Sequence, residues 1–209
     1  MWDDDPAKLE QAKVVAGAIN DAISLDGSQR VLEYGAGTGL VTQALRNAVG
    51  PVTLVDTSQG MRNVMLAKIA AGTITDARVW DLDLESAPVP DECFDLVVTV
   101  LTLHHVHGVG VVLSKFAELL AGGGQLCVVD LDKEDGSFHG LGFDGHHGFD
   151  RSELAAALTA AGFTDVEFRQ CGHIVRDGAT YPMFLATCRV AQKGEQYRGP
   201  HLTQPVARS

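Results

Sequence analysis

The sequence predicts an α/β fold in which a largely parallel sheet is covered by helices on both faces. Three observations carry this. Strand-like and helix-like segments alternate from about residue 30 to residue 130. The clearest strand segments, FDLVVTVL (94–101) and GQLCVVD (124–130), are continuously apolar, as strands buried on both faces are. The first strand runs directly into a glycine-rich turn, GAGTG, that opens a helix.

The elements follow in order. Residues Pro6 to Leu25 place Leu9, Ala12, Val15, Ala18, Ile19, Ala22 and Ile23 at helical spacing, with Pro6 in the first turn and Gly27 as a stop. RVLEY is a short buried strand, and Thr38 to Val49 reads as a helix broken by Gly50-Pro51. VTLVD is the second strand; Ser58 caps the next helix, whose apolar face is Met61, Val64, Met65 and Ile69, and Gly72 ends it. ARVW is a weaker third strand, followed by the acidic loop DLDLESAPVPDE. After the fourth strand, FDLVVTVL, a helix over about 109–120 ends at Gly122-Gly123-Gly124, and GQLCVVD is the fifth strand. A loop rich in glycine and histidine follows, to HHGFD, where Asp150 and Glu153 have capping-box spacing for a helix through Ala161. FTDVEFR and FLATCRV are two strands with no helix between them, so they are expected to pair antiparallel at an edge. The expected organisation is one domain over 1–191 and a polar tail over 192–209 that frays.

Composition narrows the function. A length of 209 residues with 45% hydrophobic content suits one soluble domain with its own core. The formal net charge of -11 argues against nucleic acid as a partner, because phosphate binding needs clustered Lys and Arg. No stretch approaches the roughly 18 apolar residues of a membrane span, and the start, MWDDDPAKLE, has no signal-peptide pattern. The four cysteines are widely spaced without a CxxC pair, which fits free thiols in a reducing compartment. A cytoplasmic protein, monomeric or homodimeric, with no membrane partner is the expectation.

The glycine turn indicates a ligand. A strand, a glycine-rich turn and a helix start let backbone approach a ligand closely and present unpaired N–H groups. The spacing here is G-x-G-x-G, at Gly35, Gly37 and Gly39, with Leu40 where a dinucleotide fingerprint has its third glycine. No Gly-Lys-Ser/Thr follows, so a phosphate P-loop is excluded. Asp56 ends the second strand, where a carboxylate can accept both hydroxyls of a ribose. Glu33, two residues before the first glycine, suits a cationic amine and not a pyrophosphate. A nucleoside carrying positive charge satisfies both, which points to S-adenosyl-L-methionine.

With VLEYGAGTG, VTLVDTSQGM, DLDLESAPVPDECFD, FDLVVTVLTLHHV, LLAGGGQLCVVD and AGFTDVE in this order, the chain resembles the class I S-adenosylmethionine-dependent methyltransferases of the small-molecule branch over about residues 30–190. The resemblance implies a Rossmann-like seven-stranded sheet of order 3-2-1-4-5-7-6 with strand 7 antiparallel. It implies that Gly35, Ala36 and Gly37 run along the methionine moiety and ribose, that Glu33 faces the methionine amine, and that Asp56 holds the ribose. Thr57 and Met61 then flank the adenine. An acid about twelve residues before the Phe94-Asp95 pair contacts the adenine amine, which selects Asp83, with Leu84 following and Asp81 as competitor. Thr99 to Leu101 line the sulfonium side. Tyr34 departs from the small or apolar residue usual at its position, and about 30 residues precede the glycine turn, so a comparatively open site is expected.

Methyl transfer from a sulfonium is an in-line displacement whose leaving group needs no acid, so the protein mainly aligns reactants and excludes water. A base serves only if the acceptor must lose a proton. His104, after the fourth strand, and His146, in the later loop, are the candidate bases; both also admit a packing role. His139, His146 and His147 have no fixed helical spacing, so no metal is expected. Tyr181 and Met183 fit either the acceptor pocket or the core. The acceptor is expected to be a small molecule. The competing readings are a protein or RNA methylase and a cofactor-binding partner subunit that is catalytically silent; TVLTLHH lacks the Asn/Asp-Pro-Pro-Tyr/Phe signature of nucleic-acid amino methylation.

Overall fold

A computed structural model of the chain describes residue 3 and residues 5–192. Apart from Gln192, the polar tail expected over 192–209 lies outside the described residues. The elements are α1 (Pro6–Ala22), β1 (Val31–Tyr34), α2 (Leu40–Leu45), β2 (Val52–Val55), α3 (Gln59–Ala70), β3 (Ala77–Trp80) and β4 (Phe94–Val100). A 3₁₀ turn (Leu103–His105), α4 (Val109–Leu119), β5 (Leu120–Leu131), α5 (Arg151–Ala160), β6 (Phe163–Arg176) and β7 (Ala179–Val190) follow. The strands form one seven-stranded sheet of order β3-β2-β1-β4-β5-β7-β6, as the resemblance implies. β1 to β5 pair parallel, and β7 is antiparallel to both β5 and β6.

Caps and turns fix the element ends. Asp5 accepts from the Ala7 N–H at 2.9 Å to start α1 with Pro6 at its head, and Asp150 accepts from the Ser152 and Glu153 N–H groups to start α5. Asp177 and Gly178, at φ of 52° and 81°, make the two-residue turn from β6 to β7, the backbone sign that a primed hairpin turn requires. Both hairpin strands are longer than FTDVEFR and FLATCRV suggest, and His173 pairs with Pro182 inside them.

Two further expectations are corrected. The helix expected over Thr38 to Val49 is only Leu40–Leu45, because the chain turns at Ala48 to return to β2. The Gly122-Gly123-Gly124 run does not separate helix from strand; it lies within β5, which begins at Leu120. Phe94 pairs with Leu120 and Leu96 with Gln125, so residues 121–124 bulge out opposite Asp95. Gly123 takes φ of 79° there, a conformation that favours glycine.

The sheet divides the core in two. One layer packs Val15 and Ile19 of α1, Leu45 of α2 and Met65 of α3 against Val31, Leu54, Leu96 and Val98. The other packs Val112, Leu113 and Phe116 of α4 and Leu158 of α5 against Leu32, Val97, Val128 and Phe184. Alternate residues of one strand therefore enter opposite cores, the physical reason for the continuous apolar runs. The four cysteines are free thiols, three of them buried; burial pushes Cys127 up to about 12 and Cys171 up to about 11, whereas Cys93 is exposed. Among the described residues, no helix is long and apolar enough to cross a membrane.

Candidate functional site

The carboxyl ends of β1, β2 and β4 converge on the glycine turn. Gly35, Gly37 and Gly39 have φ of 73°, 56° and 76°, so each occupies left-handed backbone. They differ in their surroundings. A Cβ on Gly35 would lie 2.2 Å from the Thr102 hydroxyl oxygen, and one on Gly39 would lie 2.9 Å from Ile74, while one on Gly37 meets nothing within 4 Å. Gly35 is therefore required by packing, Gly39 is favoured by its backbone sign since the Ile74 side-chain end can give way, and Gly37 leaves open room beside the backbone. The Gly35 and Ala36 N–H groups both donate to the Val55 carbonyl at 2.9 Å, tying the turn to the end of β2.

Asp56 completes the turn. Its Oδ2 accepts from the Gly37 N–H and its Oδ1 from the Ser58 N–H, each at 2.8 Å. A carboxylate has about four acceptor positions, so two remain for a ligand's hydroxyls. Arg62, a residue the sequence reading passed over, is buried behind this site. Its guanidinium donates to the Asp56 and Thr57 carbonyls at 2.9 and 2.8 Å and pairs with Asp81 at 2.8 Å. Asp81 thus braces the backbone of the acidic turn, and Asp83 is the acid that lines the adjoining cavity. The Asp83 carboxylate accepts from the Glu85 N–H at 2.9 Å and the Ser86 hydroxyl at 2.8 Å.

Two cavities meet at the turn, sharing Gly35, Gly37, Leu101 and Thr102 in their walls. The larger, about 560 Å³, is lined by Asp56, Thr57, Met61, Leu82, Asp83 and His105, among others. The smaller, about 210 Å³, lies on the other side of the turn against Glu33, Ala36, Val41 and, from α1, Lys8 and Gln11. Leu101 holds φ of 51°, strained for a branched residue, at the wall common to both. A wider depression of about 640 Å³ lies at the opposite, amino ends of the strands beside Arg30 and Arg78, away from where ligands of such sheets bind.

Glu33 is buried at the floor of the smaller cavity. Its Oε2 accepts from the Thr42 N–H at 3.1 Å and also from the Thr42 hydroxyl. Burial pushes its carboxyl up to about 7 in spite of those hydrogen bonds. A cationic ligand group at this floor would favour the ionised form.

Two residues expected at the cofactor line neither cavity. Leu84 is fully buried in the core and lines neither cavity; Leu82 takes the cavity wall. The Leu84 N–H donates to the Tyr34 hydroxyl at 3.2 Å, which gives the unusual Tyr34 a role: it holds the acidic loop from the end of β1. Thr99 is buried inside β4 with its hydroxyl unpartnered, and Thr102 stands at the cleft instead. Replacing Tyr34 by Phe removes the acceptor of a buried N–H, so Tyr34→Phe is expected to lower unfolding stability by roughly 1–3 kcal/mol in urea titration; an unchanged midpoint would show that the loop is held by other contacts.

The histidines arrange themselves differently from the sequence pairing. The loop over 132–150 is zipped shut by Phe149 N–H to Leu131 carbonyl at 2.9 Å, Glu134 N–H to His147 carbonyl at 2.9 Å, and an Arg151–Asp132 ion pair at 2.7 Å. Glu134 Oε2 accepts from the Gly136 and Phe138 N–H groups at 2.8 and 3.0 Å and closes a turn at the loop's head. This path brings His139 back onto the 3₁₀ turn, with ring centroids 4.9 Å from His104 and 5.2 Å from His105. His104 is buried, its Nδ1 2.6 Å from Asp130, and it lines neither cavity; His105 does reach the larger one. His146 stays outside the cluster: its N–H donates to the His104 carbonyl at 2.7 Å and its ring faces Phe149. Burial, reinforced by His104 and His105, pushes His139 down to about 4. Tyr181 is a core residue bonded to Ser137 at 2.8 Å, and Met183 is buried in the same layer.

Comparison with known proteins bears on the family and the fold. Residues 32–128 match the family model for the methyltransferase domain. The chain is 26% identical over 184 residues to an uncharacterised methyltransferase of Schizosaccharomyces pombe, covering 78% of this chain and 65% of that one. It is 29% identical over 134 residues to a ubiquinone/menaquinone biosynthesis C-methyltransferase of Stutzerimonas stutzeri, covering 59% and 51% of the two chains. The chain therefore spans less than two thirds of these relatives' lengths. The fold is shared with Haemonchus contortus phosphoethanolamine N-methyltransferase 2, solved with S-adenosyl-L-methionine: TM-score 0.70 at 15% identity, over 85% of this chain and 52% of that one.

Proposed function

We propose, from the premise that the chain belongs to the class I S-adenosylmethionine-dependent methyltransferases, that it transfers the cofactor's methyl group to a small-molecule acceptor. The observation that carries this is the pair of cavities joined across Gly35 and Gly37, with a carboxylate in each. Asp56 in the larger cavity suits ribose hydroxyls, and Glu33 in the smaller suits an amine; a nucleoside linked to an amino acid through a sulfonium presents both. Open room beside Gly37 fits a ligand lying along that backbone.

In this reading Ala36 and Gly37 carry the chain of the cofactor past the turn, Thr57 and Met61 flank the adenine, and Asp83 faces its amine. When bound, the cofactor supplies an electrophilic methyl group on a positively charged sulfur. Leu101 and Thr102 close the wall shared by the two cavities, where the sulfonium would stand, and restrict water there. His105 is the imidazole that reaches the cavity and stands where an acceptor would lie; His104, held by Asp130, is packed behind it. The net charge of -11 favours a small molecule over RNA.

Calorimetric titration with S-adenosyl-L-methionine, with NADH as competitor, tests the cofactor. Saturable binding is expected, weakened at least about a hundredfold in Asp56→Ala, equivalent to about 2.7 kcal/mol. NADH binding in place of the sulfonium overturns the reading. Methyl incorporation into amine, hydroxyl and thiol small molecules, set against tRNA and a protein fraction, then tests the acceptor class.

A further inference from the structure

Three imidazoles from two distant segments meet at one point. His104 and His105 are adjacent on the 3₁₀ turn after β4, and His139 arrives from the head of the zipped loop. One ring nitrogen of each lies within 4.8 Å of the other two. The ring centroids are 4.2, 4.9 and 5.2 Å apart. Zinc–nitrogen bonds of about 2.0–2.1 Å at tetrahedral angles put the nitrogens roughly 3.3 Å apart, so small side-chain rotations bring the three rings onto one ion.

Two independent features surround the trio. Asp130, fully buried, accepts from the His104 N–H at 3.3 Å and lies 2.6 Å from His104 Nδ1. That contact occupies His104 Nδ1, leaving Nε2 as the ligating nitrogen, and is the carboxylate–histidine pairing that supports metal ligands. Second, His139 Nε2 is buried and has no hydrogen-bond partner, an unfavourable arrangement that a ligand would relieve. Phe143 stacks on His139 at 3.8 Å and meets His105 edge-on at 5.4 Å, giving the cluster an apolar wall.

We propose that His104, His105 and His139 form a binding site for a divalent transition metal of the zinc class, with Asp130 orienting His104 Nε2 toward the ion. An all-nitrogen set disfavours magnesium and calcium, which take oxygen ligands. Three protein ligands leave a fourth position, the pattern of zinc sites that bind a substrate atom. Because His105 also lines the larger cavity, the ion stands beside the methyl-transfer cleft and coordinates an acceptor hydroxyl or thiol. That last role rests on the methyltransferase reading; the metal site does not.

Titration of the chelator-treated full chain with Co²⁺, followed by visible d–d absorption and by displacement with Zn²⁺, tests the site. One ion per chain is expected, with the band intensity of a low-coordinate nitrogen site. His139→Ala is expected to weaken binding by at least roughly a hundredfold, and Asp130→Asn by roughly 10–100-fold. His105→Gln supplies a second ligand deletion should His139→Ala unfold, and His107→Ala, at an exposed histidine outside the trio, is expected to bind as the parent does. Absence of stoichiometric uptake, or uptake unaffected by both ligand deletions, overturns the proposal. Parallel titration with S-adenosyl-L-methionine separates the two readings: cofactor binding without metal uptake sinks only the metal site, and metal uptake without cofactor binding sinks only the methyltransferase reading.

Discussion

Gly37→Ala is expected to leave the protein folded while weakening S-adenosyl-L-methionine binding by more than a hundredfold, and Gly35→Ala to impair both folding and binding. The two glycines share a backbone sign, with φ of 56° and 73°, so alanine costs each roughly 1–2 kcal/mol of strain. Their neighbours differ. A Cβ on Gly35 runs into Thr102, with its hydroxyl oxygen at 2.2 Å, its methyl at 2.3 Å and its own Cβ at 2.7 Å, so rotation of Thr102 alone cannot clear it. β1 and β4, which pair directly, must separate or the turn must deform. A Cβ on Gly37 meets no protein atom within 4 Å and enters the cleft between the two cavities, where only a ligand would feel it. Thermal melts alongside calorimetry distinguish the cases. Should Gly37→Ala bind the cofactor like the parent, the ligand does not run along this turn and the assignment of the cleft is wrong.

How legible the site was depends on how local each determinant is. The G-x-G-x-G turn, Asp56 at the end of β2 and the Asp177-Gly178 hairpin are decided by backbone sign and strand ends, which a few consecutive residues encode. Of the segment Thr99 to Leu101 expected beside the sulfonium, Leu101 lines both cavities and Val100 the smaller, while Thr99 is buried in the strand; the left-handed Leu101 brings Thr102 to the cleft. Leu84 was placed at the cofactor because it follows Asp83, but local order does not say which way a side chain points; the bond from the Leu84 N–H to Tyr34, 50 residues earlier, accompanies its burial in the core, and Leu82 lines the cavity. Spacing to Phe94-Asp95 favoured Asp83 over Asp81 in the sequence; the pairing of Asp81 with Arg62, a contact between distant residues, was not legible there. His139 is the extreme case. Its position depends on a loop whose closure rests on Asp132, Glu134, Phe149 and Arg151 together, and no spacing within EDGSFHGLGFDGHHGFD distinguishes it from His146.

Glu33 makes stability and cofactor affinity move in opposite directions with pH. Its carboxyl, ordinarily near 4.5, is held at about 7 in the folded protein chiefly by burial. Between those values the folded chain keeps a proton that the unfolded chain has shed, so the Glu33 contribution to stability is full below about 4.5 and is lost as pH rises to about 7. The loss is on the order of 3 kcal/mol, at about 1.4 kcal/mol for each tenfold change in proton concentration. His139, pushed down to about 4 from an ordinary 6.5, opposes this trend between those values, so the informative quantity is the difference between the parent and Glu33→Gln. That difference is expected to shift against the parent as pH goes from 5 to 8. Cofactor binding runs the other way. An ammonium group over Glu33 favours the carboxylate, so affinity is expected to rise through pH 7 and binding to release a proton below it. Glu33→Gln is expected to bind the cofactor more weakly and without that release. Calorimetry in buffers of different ionisation enthalpy reads the proton count directly. No proton release at pH 6.5 in the parent, with intact binding, would place the amine away from Glu33 and reverse the orientation assigned to the cofactor across the glycine turn.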